Sequence, residues 1–335
     1  MVGMTVDVAD VVEVLLAQGE PSVVLAVRRD ALSEPDSVLG DLRDEVRNSS
    51  RARALIAGVP DVNVYDKWHG AHWVLVDLAD LGYPRGASEL EPLRDRVADE
   101  WLDARYYLEF EARSKASAYG REGVPIMEGR YRRCGSQQGN ALRSMVQLGL
   151  ADKQADKLAE RLLHWQWPDG GWNCDRNPSA DTSSFMETLT PMRGLAAYAR
   201  LRNDKTAGAA ARAAAEVFLS RGLFRRRSDG DPIDPSFLKL HFPLYWHYDI
   251  LGGLVAMAEL GLLGDERCTA ALDLLESKRL ADGGWTAEAK FYSTSVEPVS
   301  GSTAVNWRGS SPKRMNPWVT VQALRVLLEA GRLSR

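Results

Sequence analysis

The chain has 335 residues, 45% hydrophobic and 26% charged, a globular balance that excludes disorder and collagen-like structure and leaves room for one large domain or two ordinary ones. Lys and Arg total 42 against 46 for Asp and Glu, a formal net charge of −4, so no global basic field exists to hold nucleic acid. Three dispersed cysteines, Cys134, Cys174 and Cys268, argue against a disulfide framework or a Cys-x-x-Cys zinc site and point to a reducing compartment, the cytoplasm.

No stretch reaches the run of about 18 apolar residues that a membrane span needs. Asp7, Asp10 and Glu13 stand where a signal peptide would be basic, so neither export nor a transmembrane segment is expected. Residues 1–62 predict two or three short amphipathic helices, at 8–18, 21–32 and 49–57, as an extension packed against the first repeat unit. From 63 to 335 a repeat of helix, short turn, helix organises the chain. Its first unit has an apolar helix ending at Gly82, then 90–102. The second runs through 141–149 and 152–165 to Pro168-Asp169-Gly170-Gly171-Trp172. A weaker third spans 184–199 and 207–221. The fourth runs through 250–261 and 265–280 to Ala281-Asp282-Gly283-Gly284-Trp285, and a closing helix covers 317–331. Gly149 and Gly261 are 112 residues apart, and Trp172 and Trp285 are 113 apart.

Within a unit the first helix is apolar nearly all round and the second is one-sided, so inner and outer helices alternate. Such hairpins either stack as an open solenoid or close into a ring around a cavity. Gly82, Gly149, Gly261 and Gly331 each stand where a left-handed helix cap needs glycine. Two long segments, 106–133 and 286–316, escape the repeat.

Gln166-Trp167-Pro168-Asp169-Gly170-Gly171-Trp172 and its later copy resemble the Gln-Trp repeats of squalene-hopene and related class II terpene cyclases, and the Gly-Gly-Phe turns of protein prenyltransferase β subunits. Gly171-Trp172-Asn173-Cys174-Asp175 and Tyr245-Trp246-His247-Tyr248-Asp249 are similar to stretches of bacterial squalene-cyclase-like proteins. The likeness covers about 66–331 as a repeat pattern. It implies an all-α fold, an (α/α) toroid of helical hairpins over 63–335, and an apolar, isoprenoid substrate in a central cavity. Two diagnostic residues depart from it. Ala180 stands where the cyclases carry their alkene-protonating Asp, and Asp181-Thr182-Ser183 offers a hydroxyl where prenyltransferases offer a zinc-binding thiolate. The resemblance therefore implies a cyclase-like or prenyltransferase-like enzyme with a different acid; the alternative is a toroid that binds a ligand or protein and has lost the chemistry. A lone toroid is closer to the prenyltransferase β subunit, which makes a second subunit a candidate partner.

In a toroid the inner-helix N-termini gather at one end, with their unpaired N–H groups and partial positive charge. Candidate catalytic residues there are His69, Asp181, Glu187, His247 and Asp249. His69 and His72 share one helix face as a metal or proton-transfer pair does. Apolar neighbours of Glu187 would favour a general acid, and Asp249 is either catalytic or a helix cap. Trp73, Trp246, Tyr248, Trp318 and Gln138 are candidate substrate contacts, the rings able to line an apolar pocket and stabilise a cation. Cys174 with His247 and Asp249 or Asp181 is a candidate metal set; zinc or magnesium is admitted without being required. Arg130, Arg132 and Arg133, like Arg225–Arg227, are either diphosphate contacts or solvated charge.

Overall fold

The two Asp-Gly-Gly-Trp turns are wired alike. In the computed structural model, which describes residues 7–60 and 63–334, Trp172 and Trp285 are fully buried. Their indole N–H groups donate to the carbonyls of Leu162, at 3.0 Å, and Leu275, at 2.7 Å. Their backbone N–H groups donate to the hydroxyls of Thr188 and Thr320, at 3.1 and 3.0 Å, and each hydroxyl returns a bond to the same tryptophan's carbonyl. That carbonyl also accepts from the N–H of Ser184 or Asn316, at 2.9 and 2.8 Å, the residue that caps the next helix. Each turn thus ties the helix before it to the helix after it.

Fourteen α-helices dominate the described residues, and the strands are few and short. The chain divides into two compact units, one from Met1–Pro84 with Arg221–Arg335, the other Arg85–Ser220. The first unit opens with α1 (Val8–Ala17), α2 (Pro21–Ala26, continued as a π turn over Val27–Ala31), α3 (Gly40–Asn48), α4 (Ser50–Ala57) and α5 (Ala71–Leu81). Of the extension, α3 is not foreshadowed, because only Leu42 and Val46 of its residues are buried. The second unit contains α6 (Glu91–Trp101), α7 (Lys115–Tyr119), α8 (Gly135–Gln147), α9 (Lys153–Trp165), α10 (Phe185–Arg202) and α11 (Lys205–Leu219). The first unit resumes with α12 (Ile250–Glu259), α13 (Thr269–Ser277) and α14 (Pro317–Glu329), and α2 packs against α5 and α14.

The layering follows the periodicity. Every residue of α12 except its last is buried, whereas α9 buries one face, through Ala155, Leu158, Ala159, Leu162 and Trp165. α5 ends at Gly82, φ +79°, where Tyr83 N–H reaches the Leu78 carbonyl at 3.0 Å, and Gly149 closes α8 at φ +69°. Gly261 and Gly331 adopt the same conformation.

The segment 106–133 is not a plain loop. It carries α7 and a three-stranded sheet, β1 (Glu109–Glu111), β2 (Val124–Met127) and β3 (Arg130–Tyr131), with β1–β2 parallel and β2–β3 antiparallel. Phe110, Ala112, Ala118 and Met127 form its own small core. In 286–316, β4 (Ser293–Thr294) and β5 (Ser302–Thr303) pair in parallel. Among the described residues no helix is long and apolar enough to cross a membrane.

Candidate functional site

In the second unit, α8 and α10 touch through small residues. A Cβ on Gly139 would lie 2.6 Å from Pro191 Cα, and one on Gly194 would lie 2.7 Å from the Gly139 carbonyl oxygen, so no side chain fits between these backbones. Gly135 is held equally close to the Trp172 ring, 2.9 Å from its would-be Cβ. These contacts bring three segments together: the N-cap of α8, the turn after α9, and the first turn of α10. Cys134, Cys174 and Glu187 sit on them, and their ligand atoms all lie within 4.8 Å of one another. The Cys174 thiol donates to Glu187 Oε1 at 3.4 Å, and Ser136 N–H donates to Glu187 Oε2 at 3.1 Å. Thr190 locks the pairing by donating to the Ser136 carbonyl at 2.9 Å. The Cys134 side chain, burial and the Glu187 carboxylate together push the Cys174 thiol well above its ordinary value.

Cys134 and Cys174 line a cleft of about 630 Å³ together with Arg105, Arg121, Arg132, Arg133 and Arg176. Among the described residues its one lining carboxylate is Glu122. Arg105 is paired with Glu100, but the other four guanidinium groups form no ion pair among the described residues. Arg132 donates to the Ala180 carbonyl at 2.9 Å and stacks 4.6 Å from the Trp167 centroid; burial, and then Arg130, lower its pKa. Arg176 donates to the Ala118 carbonyl at 2.6 Å. Arg133 lies 4.0 Å from the Tyr106 centroid, and its buried Nε and Nη2 meet no acceptor among the described residues. Such a cleft is chemically suited to an anion with several oxygens.

The first unit has the opposite character. Trp68 and Tyr245 stack at 3.9 Å, and Trp73 stands edge-on to both, at 4.7 and 5.5 Å. Asp77 follows Trp73 by four residues on α5, hence on the same helix face. It is 1% exposed, and neither carboxyl oxygen has a hydrogen-bond partner among the described residues. Burial, reinforced by Asp80, pushes its carboxyl well above the ordinary range. His72, equally buried, has its pKa driven down to about 3 by desolvation, so it is neutral at neutral pH and supplies Asp77 with no counter-charge. Tyr245, raised by burial and then by Asp77, keeps its proton as well.

Each residue expected from the sequence has a definite place. His69, Trp73, Trp246, His247, Tyr248, Asp249 and Trp318 belong to the first unit; Gln138, Cys174, Asp181 and Glu187 belong to the second. His69 meets the Ser302 hydroxyl at 3.0 Å. Asp249 caps α12 through Gly252 N–H at 2.7 Å and holds His241, through its N–H and Nδ1, at 2.9 Å each. His247 lies between the rings of Trp246 and Phe291, at 4.2 and 3.9 Å, and desolvation, then His241 and Lys67, lower its pKa to about 3. Tyr248 donates to the Leu223 carbonyl at 2.6 Å, Trp318 to Ser22 at 3.3 Å, and Gln138 to the Trp101 carbonyl at 3.4 Å. Asp181 is exposed. Ser183 donates to Asp169 of the Gly-Gly turn at 2.6 Å.

Of the candidate metal set, Cys174 is joined by Cys134 and Glu187. Sequence reasoning missed Asp77 and His241. Asp77 has a visible signal, an acid inside the apolar run Trp73-Val-Leu-Val-Asp77-Leu78. Comparison with known proteins returns no matching family model, no matching curated protein and no matching solved structure.

Proposed function

We propose that this chain is an enzyme of the terpene cyclase and prenyltransferase type, an (α/α) toroid acting on an apolar isoprenoid substrate, with Asp77 as the acid. Asp77 itself carries the reading. A carboxyl group with no hydrogen-bond partner among the described residues, kept protonated by burial and close enough to Tyr245 to raise its pKa, matches what alkene protonation demands of a general acid. The carboxyl proton moves to one alkene carbon as the π pair forms the new C–H bond. The O–H pair stays on Asp77 as carboxylate, and the cation left on the other carbon faces the rings of Trp68, Trp73 and Tyr245. Loss of a proton from the rearranged cation restores the acid.

The test is turnover of squalene or a polyprenyl diphosphate in deuterated buffer. Deuterium should enter the product, and Asp77→Asn should slow turnover by about 10²–10⁴-fold with helical circular dichroism unchanged. Full activity in Asp77→Asn overturns the assignment.

The Arg133 donors that meet no acceptor among the described residues favour a second reading, a protein that binds a small anion without transforming it. Pyrophosphate binding with no turnover of any isoprenoid supports that reading against the first.

A further inference from the structure

We propose that Cys134, Cys174 and Glu187 bind a thiophilic divalent cation, zinc foremost, at the wall of the arginine-lined cleft. Such a site is independent of either reading of function, because it uses only the local structure of the second unit.

A tetrahedral ion about 2.3 Å from sulfur and 2.0–2.2 Å from oxygen separates its sulfur and oxygen ligands by about 3.6 Å. Cys174 Sγ and Glu187 Oε1 are 3.4 Å apart, and Cys134 Sγ lies within 4.8 Å of both. All three side chains are partly buried rather than free on the surface. Glu187 is already oriented, with Oε2 occupied by Ser136 N–H, which leaves Oε1 toward the thiols as a ligand held by its neighbours should be.

Donor chemistry chooses the ion. Two thiolates select zinc or a similar soft cation over magnesium, which prefers oxygen alone. Binding releases the two thiol protons to solvent. Two thiolates, one carboxylate and a divalent ion sum to one negative charge, which Arg132 and Arg133 beside them can balance. Three protein ligands leave a fourth position open, as in reactive rather than structural zinc sites. Both cysteines line the cleft, so an anionic ligand held there has access to the cluster.

The experiment uses the full chain, purified under reductant, loaded with zinc or cobalt and desalted. Elemental mass spectrometry should find about one zinc per chain, and cobalt should give thiolate-to-metal charge-transfer absorption in the near ultraviolet. Cys134→Ser and Cys174→Ser should each remove that absorption and most of the bound zinc, with the helical spectrum retained. Glu187→Gln, which disturbs the fold least, should keep the thiolate bands while weakening affinity at least tenfold. Cys268→Ala, in the other unit, should match the parent. Less than a tenth of an equivalent of zinc in the parent, or metal content and spectra unaltered by all three cluster substitutions, overturns the proposal. Neither result bears on Asp77.

Discussion

The turn at 166–172 and the turn at 280–285 share their hydrogen bonds almost atom for atom, yet only one is followed by reactive side chains. Two residues after the tryptophan stands Cys174 in the second unit and Ala287 in the first. Three residues after the helix cap stands Glu187 in one and Val319 in the other. The tying threonine, four residues after the cap, is the same in both, Thr188 and Thr320. The repeat therefore supplies a scaffold whose integrity depends on tryptophan and threonine, and chemistry is placed at positions that the scaffold leaves free. The two units also treat charge differently: the first buries His72 and Asp77 where desolvation favours their neutral forms, whereas the second gathers guanidinium groups around a cleft.

If the two turns are equivalent as scaffolds, Trp172→Ala and Trp285→Ala should destabilise alike, each by about 3–5 kcal/mol, the cost of emptying a buried ring site. Urea unfolding of the two variants checks this. A loss below about 1 kcal/mol in either would break the equivalence.

The contrast in charge is sharpened by pH. His72 is neutral when folded, pKa about 3, and titrates near 6.5 when unfolded. Between these values the unfolded chain binds the extra proton, so stability is full above about pH 6.5 and falls by about 1.4 kcal/mol per pH unit on acidification. The half-buried His247, with its pKa also lowered, adds a smaller share of the same sign because solvent screens it. Asp77 acts in the opposite sense. Its folded carboxyl keeps a proton that the unfolded one loses near pH 4, so it costs stability as pH rises above that value. His72→Phe should leave only falling stability with rising pH from Asp77, plus the small acid-side loss from His247, and Asp77→Leu should leave only the acid-side loss. Chemical denaturation from pH 4 to 8 separates the two, and identical profiles for both variants would sink the assignment.

How much of the molecule is legible in the sequence depends on the range of the interactions. Asp-Gly-Gly-Trp, the glycine caps and α14 depend on partners in the adjoining helices, at most 35 residues away, or on helical period, and their places agree with expectation. The N-terminal ends of α8 and α10 bring Cys134 and Glu187 together inside the second unit. Their contact, however, depends on Gly139 facing Pro191 and Gly194 facing Gly139, and an isolated glycine in a helical pattern does not announce which helix it will meet. The three-stranded sheet was hidden because strands of two to four residues are too short to show alternation. Arg132 and Arg133 read in the sequence first as solvated charge; what singles them out is the aromatic stacking on Trp167 and Tyr106, a long-range feature.

The arginine cleft separates the units at the level of binding. Arg133→Gln removes a cation whose Nε and Nη2 are unsatisfied, and a charge-assisted hydrogen bond contributes about 1.5–3 kcal/mol. Pyrophosphate affinity by calorimetry should accordingly fall by about 10–100-fold, with stability lowered by no more than about 1 kcal/mol for the lost contact with the Tyr106 ring. The corresponding loss should shrink at high salt. Equal affinity in the parent and Arg133→Gln would remove Arg133 from the binding surface.

The smallest effect is the most discriminating. Cys174→Ala installs the residue that the first unit carries at the equivalent place, Ala287, where the same tryptophan and threonine bonds persist without a thiol. If the turn is scaffold and the thiol is cargo, metal-free stability should change by less than about 1 kcal/mol, as for a substitution outside the packing and bonding that hold the fold. A loss of several kcal/mol would show instead that Cys174 is part of the structural wiring, and the distinction between the two copies of the turn would collapse.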